Sequence, residues 1–419
     1  MSDTTFTAIG TRPIRHDGVD KVTGRANYGA DLSLPGMLHG VVVRSPHAHA
    51  RIVSIDTADA LRVPGVKAVI TGRDVPLADV KLGMGEGAMD LKDLSDNLLA
   101  REKALYHGHA VAAVAASTLA AAQEGAARVK VHYEVLEPVL SVDRAMEPGA
   151  PILHPGMTTQ ARPPVDSTGP TNIAGRMELK RGDLEQGFAE ADVVIERVFR
   201  TPTSHQGYIE PHACVARVNE DGRISIWTTT QGPFLVRDAT ALMLGLDAAN
   251  IKVTPSEIGG GFGGKIPVYL EPVAVVLARI TQRPVKMVMT RDEVFRASGP
   301  TSATRIRMKM GAKKDGTIVA ASASLYYEAG AYRGSPSGAG AMCVFAPYNF
   351  PNFFIEAYDV VVNKPKVAAY RAPGSPMAAF ATESVIDELA HALSLDLVDI
   401  RLKNAVKEGD RAQIGRAHV

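Results

Sequence analysis

The feature that most constrains this chain is a run at positions 259–265, Gly259-Gly260-Gly261-Phe262-Gly263-Gly264-Lys265, with Pro267 two residues further on. Five of its first six positions are glycine. Such a backbone reaches positive φ cheaply and lets another group come close. Its consecutive amides can gather around an oxygen. Two phosphate-binding patterns fit the letters. Gly259, Gly261 and Gly264 fall in GxGxxG register, and Gly259–Lys265 fits GxxxxGK. The first pattern needs a helix that opens inside the glycines. Pro267 would then lie in the helix interior, at a cost of roughly 3 kcal/mol. The second needs Ser or Thr after the lysine, and Ile266 stands there. A nucleotide-binding enzyme is therefore the weaker alternative, and a purely structural glycine loop is another.

The stretches around this loop alternate between strand and helix patterns. Leu38–Val43, Ala50–Ile55, Val66–Thr71 and Ala110–Ala116 are short apolar or β-branched runs bounded by turn residues. Thr118 is placed to cap a helix running to Arg128. Strands are expected at 193–199, 214–218, 224–229, 251–254, 285–289, 305–310, 318–327 and 353–362. Helices are expected at 234–244, 270–281, 377–393 and 397–405, the first closed by Gly245. The class is α+β. Residues 1–15 read as an arm, 16–146 as a first domain, 147–175 as a Pro/Gly-rich extended connection and 176–413 as a second domain. The last six residues, IGRAHV, match a peptide encoded by a common sequencing adapter. They read as a non-native tail (414–419) on a broken reading frame.

Lys plus Arg number 46 against 45 Asp plus Glu, so the balance gives no reason to expect a nucleic-acid partner. The two cysteines, Cys214 and Cys343, are read as isolated buried thiols. They cannot hold an iron–sulfur cluster or a Cys-rich zinc site by themselves. No Sec signal is visible at the start, and no apolar run reaches the roughly 20 residues of a membrane span.

Three further motifs bear on chemistry. Gln231, in Thr229-Thr230-Gln231-Gly232-Pro233, sits between a strand and a helix, where its amide can donate to a ligand oxygen or cap the helix. Arg371, in Ala369-Tyr370-Arg371-Ala372-Pro373-Gly374, offers a planar fork to a phosphate or ring oxygen, although such an arginine is also a common surface ion pair. His205 and His212 flank Glu210 in HQGYIEPH, seven residues apart on an irregular segment rather than on one helix face. Hydrogen-bonded burial is the expectation there, not metal ligation. Arg305, Arg307 and Lys309 alternate on one strand face, which is read as solvated.

In this order the motifs resemble the xanthine dehydrogenase/aldehyde oxidase family of molybdenum hydroxylases over nearly the whole chain. DGVDKVTGRANYGADLSLPGMLHGVVVRSPHAHARI is similar to the family's a/b hammerhead domain. QGPFLVRDATALMLGLDAANIKV and GGGFGGK are similar to its first molybdopterin-binding domain. AYRAPGSPMAAFATESVIDELAHALSLDLVDIRLKNA is similar to its cofactor-arginine loop and the helix after it.

The resemblance implies a molybdopterin cofactor (cytosine dinucleotide being one form) whose metal takes no protein ligand. Gln231 would donate to the oxo group. Gly260, Gly261, Phe262 and Gly263 would lie against the metal centre and pterin, and Arg371 would meet the cofactor. The implied reaction adds a water-derived oxygen to an electron-poor carbon, with a glutamate base expected beyond residue 419. Electrons would pass to 2Fe-2S and FAD groups on separate partner subunits. A cytoplasmic location is implied, or the periplasm where a partner carries the export signal. Ile266 replaces the glutamate of purine-oxidising members, Pro373 replaces their stacking phenylalanine, and the carbon monoxide dehydrogenase sequence AYRCSFR is absent. An aldehyde or an N-heteroaromatic is therefore the expected substrate. A non-catalytic assembly module is the alternative outside enzymology.

Overall fold

A computed structural model describes residues 7–76, 91–164, 169–412 and 415–416. Two large sheets organise them. The first has seven strands in the order Ile251–Pro255, Ile224–Thr228, Ala213–Val218, Val285–Val288, Leu38–Arg44, Ala110–Ala116 and Val66–Thr71. It joins the early and late parts of the chain. Leu38 pairs with Val285 and Gly40 with Met287 in parallel register. Gly40 suits this seam, because a Cβ there would meet Met287 Cγ at 2.6 Å. Ala110–Ala116 is buried at every position, which is why it reads as an unbroken apolar run rather than an alternation. The helix Glu271–Thr281 lies on this sheet and contributes Val273–Ala278 to its core.

The second sheet has six strands in the order Gln160–Arg162, Ile173–Arg181, Asn352–Val361, Ile318–Gly330, Thr304–Ala312 and Val193–Thr201. Ile306, Met308 and Met310 alternate inward to a core shared with Met377, Ala378, Val385 and Leu389 of the helix Ser375–Leu393. Between them Arg305 pairs with Asp143, and Arg307 with Glu196, in the wetter layer. A small third sheet joins Lys103–Ala104, Ala50–Asp56 and Lys130–Val135.

Several expectations are met in detail. Thr118 Oγ1 accepts from Ala121 N and caps the helix Leu119–Arg128. Gly245, at φ 61°, closes the helix Pro233–Leu244. Others need correction. Part of the supposed extended connection is strand, since Gln160–Arg162 pairs with a strand that begins at Ile173. The stretch 16–32, whose interleaved glycines and aspartates read as turns, holds a short helix, Gly18–Thr23, stopped by Gly24 at φ 75°. The helices Leu91–Leu98, Arg291–Ala297 and Ser337–Cys343 were not foreseen. Cys214 is buried as expected, but Cys343 is only partly buried and accepts from Ser375 Oγ at 3.0 Å.

Candidate functional site

The strands Ile224–Thr228 and Ile251–Pro255 are parallel neighbours. Their C-terminal ends therefore emerge side by side at one edge of the sheet, where open α/β sheets place ligands. The first leads through Thr229 and Thr230 into Gln231, and the second into the glycine run. The Arg371 loop arrives from the other sheet, after Asn352–Val361 and before the helix Ser375–Leu393. Arg371 N donates to Phe262 O at 3.0 Å, so the two loops meet. All the sequence-predicted residues, Gln231, Gly260, Gly261, Phe262, Gly263 and Arg371, thus belong to one cluster between the sheets.

No helix opens inside the glycines. Residues 260–266 form turns and irregular chain, Pro267 lies outside any helix, and the next helix begins at Glu271. Lys265 is fully buried and turned inward, its Nζ 2.7 Å from Glu210 Oε2. A phosphate-gripping lysine must reach its ligand, so both nucleotide patterns fail on geometry.

Gln231 holds the loop through its carboxamide oxygen. Oε1 accepts from Gly263 N at 2.8 Å and from Lys265 N at 3.3 Å, while Gln231 N donates to Lys265 O at 3.0 Å. Those acceptor bonds fix which end of the amide is oxygen. The Nε2 donor then remains, and among the described residues nothing accepts from it. The side chain is exposed. Gly261 faces this glutamine, and a Cβ there would sit 2.5 Å from Oε1.

The loop backbone is unusual in three places. Gly260 has φ 95°, Phe262 φ 52° and Gly263 φ 99°. A Cβ on Gly263 would also meet Ala369 O at 2.5 Å. Phe262 bears the cost of the left-handed region without being glycine, and its ring is half exposed. Among the described residues, no acceptor meets the amides of Gly260, Gly261 or Phe262, whereas those of Gly259, Gly263, Gly264, Lys265 and Ile266 are all bonded. Three successive free donors beside a free carboxamide nitrogen make a surface suited to acceptor oxygens. The Arg371 loop is also left-handed, with φ 27° at Arg371, 62° at Ala372 and 81° at Gly374. Tyr327, buried beneath it, donates its hydroxyl to Gly374 O at 2.7 Å. The Arg371 guanidinium is exposed and has no ion pair among the described residues.

The segment 205–212 is the support behind the loop. His212 Nε2 meets Tyr208 Oη at 2.6 Å, and His205 Nε2 meets Ser298 Oγ at 2.8 Å. Burial pushes His212 down to about 3 and His205 to about 4, so both rings are neutral near neutral pH. Gln206 Nε2 donates to Gly299 O and Ala369 O at 2.9 Å each, tying together the chain leading to the Arg371 loop. The expected hydrogen-bonded burial holds for His212, while His205 and Glu210 are hydrogen-bonded but only partly buried. Among the described residues no group of three His, Cys, Asp or Glu could hold a metal. The supporting roles of Gln206, Tyr208 and Glu210 were missed by sequence reading. A lysine ending a glycine loop without a following Ser or Thr was the available signal that it needs a carboxylate elsewhere.

Comparison with known proteins identifies the family of the chain. Residues 165–405 match the molybdopterin cofactor-binding domain, and residues 23–137 match the aldehyde oxidase and xanthine dehydrogenase a/b hammerhead domain. The nicotinate dehydrogenase large molybdopterin subunit of Eubacterium barkeri is 32% identical over 98% of this chain and 92% of its own length. Among solved structures, an aldehyde oxidoreductase from Desulfovibrio gigas superposes with a TM-score of 0.85 at 30% identity, covering 96% of this chain and 44% of that one. Quinoline 2-oxidoreductase from Pseudomonas putida 86 gives 0.84 at 30%, covering 98% and 52%. The chain spans about half the length of several other curated relatives it matches. It belongs to the aldehyde oxidase and xanthine dehydrogenase family of molybdopterin oxidoreductases, of which it carries the hammerhead and a molybdopterin cofactor-binding domain.

Proposed function

We propose that this chain forms one wall of the cofactor site in an enzyme that hydroxylates an N-heteroaromatic or an aldehyde oxidatively, with oxygen from water. The observation that carries the reading is the row of free amides at Gly260, Gly261 and Phe262, flanked by Gln231 Nε2 and the exposed Arg371 guanidinium. These groups are donors, and a molybdenum-bearing pterin presents oxo and phosphate oxygens that accept. When bound, that group supplies the two-electron oxidation. Gln231 would donate to an oxo oxygen, and the loop amides would line the close approach. Arg371 would offer its fork to phosphate or pterin oxygens. A cytosine dinucleotide form of the pterin belongs to this reading.

The general base is assigned to a glutamate outside these residues. The carboxylate that touches the glycine loop is Glu210, which is already engaged by Lys265 and Gly259 and is nearly buried. Electron transfer is assigned to partner subunits carrying 2Fe-2S and FAD. The chain has only two cysteines for such ligation. Among the described residues no helix is long and apolar enough to cross a membrane, and a cytoplasmic site of action fits, with a partner's export signal as the route to the periplasm. The names of the nicotinate and quinoline relatives favour an N-heteroaromatic, and that of the Desulfovibrio relative favours an aldehyde. Ile266 and Pro373 argue against xanthine, since neither can hydrogen-bond or stack as the residues they replace would.

The test is production with iron–sulfur and flavin partners in a host that makes the pterin. Molybdenum, pterin and dye-linked oxidation of nicotinate, quinoline, an aldehyde and xanthine are then measured. Pterin-bearing protein that oxidises a heteroaromatic or an aldehyde is expected. Protein free of pterin would overturn the cofactor reading, and turnover of xanthine alone would overturn the substrate reading.

A further inference from the structure

Behind the glycine loop, one carboxylate gathers three separate parts of the chain. Glu210 Oε2 accepts from Gly259 N at 2.7 Å and from Lys265 Nζ at 2.7 Å. Its Oε1 accepts from Gly29 N at 3.3 Å. Gly259 and Lys265 are the two ends of the loop, so a single side chain closes it like a clasp. The backbone repeats the contact, since Glu210 N donates to Gly259 O at 3.2 Å. Gly259 has to be glycine for this approach, because a Cβ there would meet Glu210 Cβ at 2.6 Å. The segment carrying Glu210 is itself held, with Arg291 Nη1 donating to Tyr208 O at 2.9 Å and Nη2 bonding Ile209 O.

The charges in this clasp are out of water. The Lys265 side chain is 0% exposed and that of Glu210 10%. Lys265 Nζ also stands 4.9 Å from the centre of the Tyr208 ring, on its cation-attracting face. A buried ion pair of this kind stabilises little in itself, yet removing one partner strands the other charge. Such a pair specifies geometry more than it adds stability. Here the geometry it specifies is that of a loop with few bonds of its own. Internally the loop has only Gly264 N to Gly261 O and Ile266 N to Gly263 O. Its front is held by Gln231, whose Nε2 meets no acceptor among the described residues.

We infer that Glu210 and Lys265 are positioning residues that clamp both ends of the glycine loop and so hold the Gly260, Gly261 and Phe262 amides in their donor array. The functional consequence rests on the cofactor reading above, but the clamp itself does not. The test is hydrogen exchange of the peptide spanning 259–266 in the full chain, for wild type, E210Q, K265M and the double variant E210Q/K265M. Each single change leaves one buried group stranded, and exchange should accelerate about tenfold or more. In the double variant no buried charge remains, and the carboxamide oxygen that E210Q introduces still accepts from Gly259 N. Exchange should return to within about threefold of wild type, a coupling that independent sites do not show. Peptides from Thr304–Ala312 and Ile318–Gly330 serve as the folding control and should not change.

Molybdenum and pterin per chain, measured on the same proteins made with their partner subunits, should fall in the singles and recover in the double. Wild-type exchange in either single variant, or acceleration in the double equal to the product of the singles, would overturn the clamp. Normal clamp behaviour with no pterin on wild type would instead overturn the cofactor reading. Unchanged pterin content in singles whose loop is loosened would show that the clamp does not serve the cofactor.

Discussion

At the scale of single residues, the site divides into groups that offer donors and groups that hold them in place. Gln231 does both, one end of its amide bound to the loop and the other free. In the assembled enzyme Gln231→Ala should lower kcat by about a hundredfold, the loss of one preorganised donor being worth on the order of 3 kcal/mol. Because the carboxamide oxygen also carries two loop amides, Gln231→Glu separates the roles, keeping the acceptor and losing the donor. If Q231E retains kcat at normal molybdenum content, the donor role is wrong. Gly263→Val is expected to be more severe for cofactor retention, since it puts a branched side chain at φ 99° and against Ala369 O. Pterin content should fall several-fold while circular dichroism stays the same, and full loading would make the loop merely structural. Gln231, the glycines and Arg371 were candidates from the sequence because their motifs resemble the family's, and the fold brings their loops together through the Arg371 N–Phe262 O and Gly263 N–Gln231 Oε1 bonds. Glu210 was not, because its meaning depends on Gly29, Gly259 and Lys265, which lie far from it along the chain and come together only on folding.

At the scale of elements, the two loops are only as fixed as the strand and helix ends that carry them. Strand and helix positions were readable from periodicity and caps, down to Thr118 and Gly245. The order of the strands was not, since a period-two pattern says which face is buried but not which neighbour pairs. The unforeseen helices have mixed reasons. Ser337–Cys343 is mostly small residues with one methionine and no amphipathic stripe, and Arg291–Ala297 is short and held by a capping box from Thr290 to Glu293. The Arg371 loop depends on the strand Ile318–Gly330 through Tyr327. Removing that hydroxyl leaves a buried carbonyl at Gly374 without its donor, costing about 1–2 kcal/mol. Tyr327→Phe should therefore lower stability by that amount in urea unfolding and loosen pterin binding. A variant that is destabilised yet binds pterin with unchanged retention on gel filtration would show that the strand supports the core but not the site.

At the scale of the whole molecule, the seven-stranded sheet draws both matched domains into one core, and its buried histidines make that core sensitive to acid. His109 is fully buried, bonded to Leu105 N and Asp96 O, and burial pushes it down to about 4. His212 is pushed to about 3 for the same reason, with Lys265 adding repulsion. Unfolded, each would bind its proton near pH 6.5, so between there and the folded value the unfolded state holds more protons. Stability should then fall as pH drops below about 6.5, by up to about 1.4 kcal/mol per unit for each histidine. A melting temperature that does not change between pH 7 and 5 would contradict this.

The same scale decides what residues 1–419 can do in isolation. The donor wall is rimmed by exposed apolar side chains, Phe234 at 71%, Phe262 at 49%, and Ile266 and Tyr370 at 36% each. A surface of that kind is ordinarily covered, and a cofactor open to water on one side loses the dry surroundings that strengthen its hydrogen bonds. Glu210, the carboxylate at the loop, is not free to act as a base. Purified alone, residues 1–419 should self-associate, carry substoichiometric molybdenum and oxidise neither aldehyde nor N-heterocycle, even when iron–sulfur and flavin partners are added. Adding a polypeptide that supplies the glutamate proposed as base and covers the apolar rim should restore both loading and turnover. Turnover by residues 1–419 with the electron-transfer partners alone, scaling with bound molybdenum, would place the base within this chain and refute its assignment elsewhere.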